Sequence, residues 1–199
     1  MQTIITENMA DLWSSKVAWE QIQSAFGDSR VVGELLQEVL AGEDAWGDLF
    51  GQVLHQGTIY EATVVVAAWM VEALQGGRLG ERPIPLHNPS TGEKIMVSER
   101  ALVFGLLSGM AQSAHEALNS GRTGKRYASI AALVLEALRP GIPLYEAAVE
   151  NPDDEMSKAS STLLAALAPG ATTAAIDSQD LRSLKAKLGM PSRHPPPEE

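Results

Sequence analysis

Between Pro143 and Leu167 the chain encodes two short amphipathic helices around a stop signal, and this restricts the possible folds more than any other stretch. Leu144, Ala147 and Ala148 share one face of the first helix. Asn151-Pro152 then ends it, because proline removes a backbone donor and clashes with the preceding turn. Asp153 and Asp154 place negative charge at the start of the second helix, where the helix dipole favours it. That helix carries Met156, Ala159, Leu163, Leu164 and Leu167 at helical spacing. A helix pair this small cannot cover its own apolar face, so it must stack on neighbours, as the units of helical-repeat proteins do.

The rest of the chain carries the same rhythm. Val32, Leu35, Leu36, Val39 and Leu40 form one stripe, and Trp46, Leu49, Phe50, Val53 and Leu54 another, with Gly42-Glu43-Asp44 as the turn between. Gly57-Thr58 is expected to close that helix and begin the next, which runs from about Tyr60 to Leu74. This run is apolar nearly all round and so belongs inside the stack, and its Val64-Val65-Val66 triplet lacks a visible strand partner. Glu7 to Phe26, with Trp13, Val17, Trp19, Ile22 and Phe26, reads as one or two helices. Ser98 should cap a helix through Leu118, and a further helix spans about Tyr127 to Leu138 before Arg139-Pro140-Gly141. Asp177 or Ser178 can cap a last short helix bearing Leu181, Leu184 and Leu188.

Residues 76–97 break the pattern. Gly76, Gly77, Gly80, Pro83, Pro85, Pro89 and Gly92 predict a long irregular loop dividing two halves of one stack. The expected organisation is a single helical-repeat domain over 1–189, followed by a Pro-rich tail over 190–199. Aromatic residues are only 5% of the chain, and the apolar residues are mostly Ala, Leu and Val, which suits close helix packing. The expected fold is therefore all-α, an antiparallel helix-pair stack of roughly eight to ten helices.

The segment from 127 to 167, helix, Pro-Gly-Ile-Pro-Leu-Tyr, helix, Asn-Pro-Asp-Asp, helix, resembles a HEAT-like repeat. Trp46-Gly-Asp-Leu-Phe50, with the following His55-Gln-Gly-Thr-Ile-Tyr60-Glu-Ala, is similar to a segment of bacterial HEAT-repeat-like proteins. The resemblance covers about two-thirds of the chain. It implies an α-solenoid that acts as a scaffold or protein-binding module, in some bacterial cases an immunity protein that neutralises a toxin. It brings no catalytic residues and no cofactor.

Charge says most about partners. The net charge is −10, and residues 1–75 hold eleven carboxylates against Lys16 and Arg30, a balance of −9. Such a field repels nucleic-acid phosphates and draws in basic proteins. Glu34 and Glu38 stand at i and i+4, an arrangement that costs a helix about 0.2–0.5 kcal/mol. With Glu43, Asp44, Asp48, Tyr60 and Glu61 they are the candidate partner-binding residues. Trp46 leads an apolar stripe and reads as core.

Catalytic and metal chemistry find little support. The absence of cysteine removes thiol and Cys-ligated metal sites. His55 reads as a helix-end histidine, and His87, His115 and His194 share no ligand spacing with it. Gly121-Arg-Thr-Gly-Lys125 lacks the Ser or Thr and the preceding strand of a phosphate loop. The paired acids Glu43/Asp44 and Asp153/Asp154/Glu155 are explained as helix starts. No basic leader or membrane-length apolar run is apparent, so a cytoplasmic location away from membranes is expected. The chain is read as a non-catalytic protein that occludes a basic toxin or enzyme, with an assembly adaptor as the alternative and an enzyme near His55 as the weaker one.

Overall fold

The computed structural model describes residues 17–80, 82–87, 92–120, 124–151, 154–168 and 178–190. Its first half repeats one local device three times, a short antiparallel ladder that leads directly into a helix. Strands β1 (Gln23–Ser24) and β2 (Gly27–Asp28) precede α1 (Arg30–Ala41). After α2 (Trp46–Val53), strands β3 (Leu54–His55) and β4 (Thr58–Ile59) precede α3 (Glu61–Gln75), and β5 (Pro83–His87) and β6 (Lys94–Ser98) precede α4 (Glu99–Asn119). The remainder is helical: α5 (Lys125–Leu138), a 3-10 turn (Arg139–Gly141), α6 (Ile142–Val149), α7 (Asp154–Leu167) and α8 (Ser178–Lys187).

The all-α expectation holds at the level of class, since the sheets are three separate two-stranded ladders. Lys125–Val149 runs as one helical stretch of 25 residues. Counted that way, the described helices number seven, against the expected eight to ten. By length and composition this stretch could cross a bilayer, which the sequence reading did not anticipate. Its most apolar window is 56% buried within the fold.

Three local expectations are corrected. Of the helix expected over Glu7 to Phe26, the described part is a 3-10 turn at Trp19–Gln21 followed by the β1–β2 hairpin, while Trp13 lies outside the described residues. Gln56-Gly57 is a two-residue hairpin turn in place of a helix cap. Both residues have positive φ (51° and 76°), the geometry that matches the twist of paired strands. His55 is accordingly a strand residue. The loop expected over 76–97 contains the β5–β6 hairpin; residues 88–91 at its centre lie outside the description.

The prolines of β5 are placed where a ladder tolerates them. Glu99 N–H donates to Arg82 C=O at 2.7 Å, so the hydrogen-bonded pairs that follow are Ile84/Val97 and Leu86/Ile95. Pro83 and Pro85 therefore turn their ring nitrogens away from β6, and β6 turns the N–H groups of Lys94 and Met96 outward on its own far side.

The core runs along the helices. α3 is apolar all round as expected, and Val64, Val66, Ala67, Trp69 and Met70 have no exposed surface. α4 lies against α5 and α7, α6 against α7, α3 against α5, and α1 against α2. Ser98 caps α4 as expected, accepting from Ala101 N–H at 3.1 Å. In α6 the buried residues are Tyr145 and Ala148, while Ala147 is exposed. Tyr145 stacks edge-on to Phe104 and donates to Leu138 C=O at 3.1 Å, and burial raises its phenol pKa well above the usual value. Gly141 is required beside it, because a Cβ there would collide with the Tyr145 hydroxyl. Finally α8 folds back on α5, where Lys185 pairs with Glu136 at 2.8 Å.

Candidate interaction surface

The acidic candidates fall into two groups that the sequence could not separate. Glu34 is exposed and Glu38 half-buried on α1, and helical spacing puts both on one face with Val31, itself 38% exposed. Gly42 ends α1 with φ 92°, and Glu43 N–H bonds back to Glu38 C=O at 2.9 Å. This closure turns the chain tightly, so Glu43 and Asp44 follow directly on the Glu38 end of α1, and both are exposed. Asp48 then sits in the first turn of α2, one turn beyond Asp44, also exposed. Glu34, Glu38, Glu43, Asp44 and Asp48 thus follow one another along α1, its closing turn and α2. Among the described residues none of the five is in a salt bridge or side-chain hydrogen bond.

Among the described residues, nothing packs beside the glycines of α2. A Cβ at Gly47 or Gly51 would touch nothing within 4 Å, so packing within the chain explains neither glycine. Each glycine in a helix costs about 0.5–1 kcal/mol relative to alanine. Beyond Asp48, Gln52 accepts from the Ser24 hydroxyl at 3.0 Å and from Ala25 N–H at 2.8 Å through its carbonyl. These bonds hold the β1–β2 turn at the end of α2, where Phe26 is 68% exposed with its ring edge-on to His55.

Glu61 does not belong to this surface. It is fully buried at the first position of α3. Its Oε1 is paired with Arg126 at the start of α5. Its Oε2 accepts from Lys187 at the end of α8 at 2.5 Å and from Gln23 N–H at 3.1 Å. Burial raises its pKa, but the hydrogen bonds from Lys187, Arg126 and Gln23 together outweigh this, and its carboxyl titrates below the ordinary glutamate range. The sequence held a clue: a helix apolar nearly all round buries its first turn as well. Arg126 and Lys187, the cations that make this possible, were not singled out by sequence reasoning, and Arg126 had figured only in an incomplete phosphate-loop match.

A second buried carboxylate repeats the placement. Glu99, the first residue of α4, accepts from Trp46 Nε1 and Gly80 N–H, each at 3.3 Å, and pairs with Arg82. Arg82 also reaches Val39 C=O at 3.1 Å. Trp46 is therefore core. Tyr60 is half-buried beside Glu61, and the helix start it occupies is held by Thr63, whose hydroxyl accepts from Tyr60 N–H at 2.7 Å and donates to Val53 C=O. No three His, Asp or Glu side chains come together as a metal site among the described residues. His194, Asp153, Asp177 and most of Gly121–Lys125 lie outside them.

No family model matches this chain, and neither a curated protein nor a solved structure matches it. The candidate surface therefore rests on its own geometry.

Proposed function

We propose that the chain is a non-catalytic, HEAT-like helical-repeat protein of the cytoplasm that binds a basic protein partner, most simply as an immunity or inhibitor protein that occludes a toxin or enzyme. The observation that carries this reading is the run of carboxylates from Glu34 to Asp48 that have no partner among the described residues. Carboxylates aligned this way repel one another, and a basic partner removes that repulsion while the field speeds its approach. The bare α2 face admits close contact, and exposed Phe26 offers an aromatic anchor at one end. The helix-pair contacts of α4 with α5 and α6 with α7 support the repeat reading.

The test is affinity capture from the native host with the full chain and with a Glu34→Lys, Glu38→Lys, Asp48→Lys variant. The wild type should retain a basic protein that is released by salt and that is toxic when expressed alone but harmless beside this chain. The variant should lose it. Equal capture by both, or capture indifferent to salt, overturns the reading; salt indifference would favour an adaptor that docks through apolar surface.

A further inference from the structure

A cavity of about 340 Å³ opens beside Glu61, with Ile59 and Ile130 among its walls and the side chains of Tyr60, Arg126 and Tyr127 around it. Its polar groups are unequal. Both oxygens of Glu61 are already engaged, Oε1 by Arg126 and Oε2 by Lys187 and Gln23 N–H. The Tyr127 oxygen accepts from Ile59 N–H at 3.2 Å, which leaves its own proton to give. Tyr60 Oη has no partner among the described residues, and Arg126, whose side chain is 63% exposed, gives Glu61 only part of its five-donor guanidinium. Tyr60 Oη, the Tyr127 proton and the spare Arg126 N–H groups can all donate, beside the polar side chains of Gln23 and Thr58. Among the lining residues one cation, Arg126, faces one carboxylate, Glu61, whose charge is further offset by Lys187 behind it.

A site with spare donors, a partly used guanidinium and apolar walls suits an oxyanion carried on an apolar body, and its volume falls at the compact end of small-molecule sites. We propose that this cavity binds a small organic oxyanion with an apolar body, its oxygens taken by Arg126, Tyr60 and Tyr127 and its body held against Ile59 and Ile130. The planar guanidinium fork matches such an anion in two-point contact. This site is separate from the acidic run on α1 and α2, and it goes beyond the protein-binding reading.

The experiment titrates the full chain with benzoate, phenyl phosphate, inorganic phosphate and benzamidine, read by calorimetry and by amide NMR shifts. Saturable binding of benzoate or phenyl phosphate, with the amides of Ile59, Tyr60 and Tyr127 shifting, supports the proposal; the stronger of the two identifies the oxyanion. Inorganic phosphate should bind more weakly, for want of the apolar body, and benzamidine should not bind. Tyr60→Phe removes a hydroxyl with no partner among the described residues and should weaken binding about tenfold, the effect of one hydrogen bond to a charged group. Arg126→Gln should weaken it further. The proposal falls if neither aryl anion shifts these amides at about 10 mM, well above a ~1 mM dissociation constant. It also falls if benzamidine binds equally well, or if Tyr60→Phe folds normally and leaves affinity unchanged.

Discussion

Glu61 and the carboxylates of α1 and α2 belong to the same acidic stretch of sequence and do opposite work. Glu34, Glu43, Asp44 and Asp48 face solvent without partners among the described residues, while Glu61 is fully enclosed and joins β1, α5 and α8. The lesson is that net charge along a chain cannot assign a carboxylate to surface or interior. The deciding factor is the neighbouring helix: among the described residues α1 and α2 each have an exposed side, while the first turns of α3 are buried all round and only Glu72 and Gln75 near its end are exposed. Glu99 sharpens the contrast, because it sits at the same helix position as Glu61 but ties together Gly80, Arg82 and Trp46, closer in sequence than Lys187 is to Glu61.

The largest effect is expected from Glu61→Ala. Removing the carboxylate leaves two cations and a backbone donor without their acceptor, and since Arg126 and Lys187 can partly rehydrate, the loss should be about 2–3 kcal/mol by urea unfolding. Amide exchange in α8 should quicken in the same variant. A loss under ~1 kcal/mol would remove Glu61 from its structural role. Glu99→Ala should cost about 2 kcal/mol through the bonds to Trp46 and Gly80, and leave α8 exchange unchanged. If both variants free α8 equally, the distinction between the two sites fails.

Acid dependence separates the groups next. The Glu61 carboxyl is held below the ordinary range, so its contribution is present above the unfolded glutamate pKa, ~4.3, and is lost as pH falls through its lower folded value. Urea midpoints measured downward from neutral pH should fall more steeply in the wild type than in Glu61→Gln; parallel curves would contradict the assignment. The smallest effect belongs to the surface. Glu34→Lys should leave stability unchanged or raise it by about 0.2–0.5 kcal/mol, since it turns an i, i+4 repulsion into an attraction. A clear destabilisation would mean that Glu34 has a partner within the fold.

Much of the helical framework was legible in the sequence. The stripes of α1, α2 and α3, the Ser98 cap and the pairing of α6 with α7 follow from apolar spacing and stop signals, which are local. The first two hairpins were not legible, because two-residue strands carry no alternation and Gln56-Gly57 serves equally as a helix end in the sequence alone. Pro83 and Pro85 pointed toward a loop, and only the register shows them on a non-bonded edge. Tyr145 was missed because Leu144 and Ala147 suggested a different face. The Glu61 cluster depends on Lys187, 126 residues away, and no spacing rule reaches that far.

The register of β5 and β6 also governs how far such a sheet could grow. Its β5 side offers no donors at Pro83 and Pro85, while its β6 side offers those of Lys94 and Met96. Two molecules that met through β6 would each use those donors and turn the prolines outward. A further strand would then meet two missing donors, so prolines that read as loop residues in the sequence work against continued growth of the sheet.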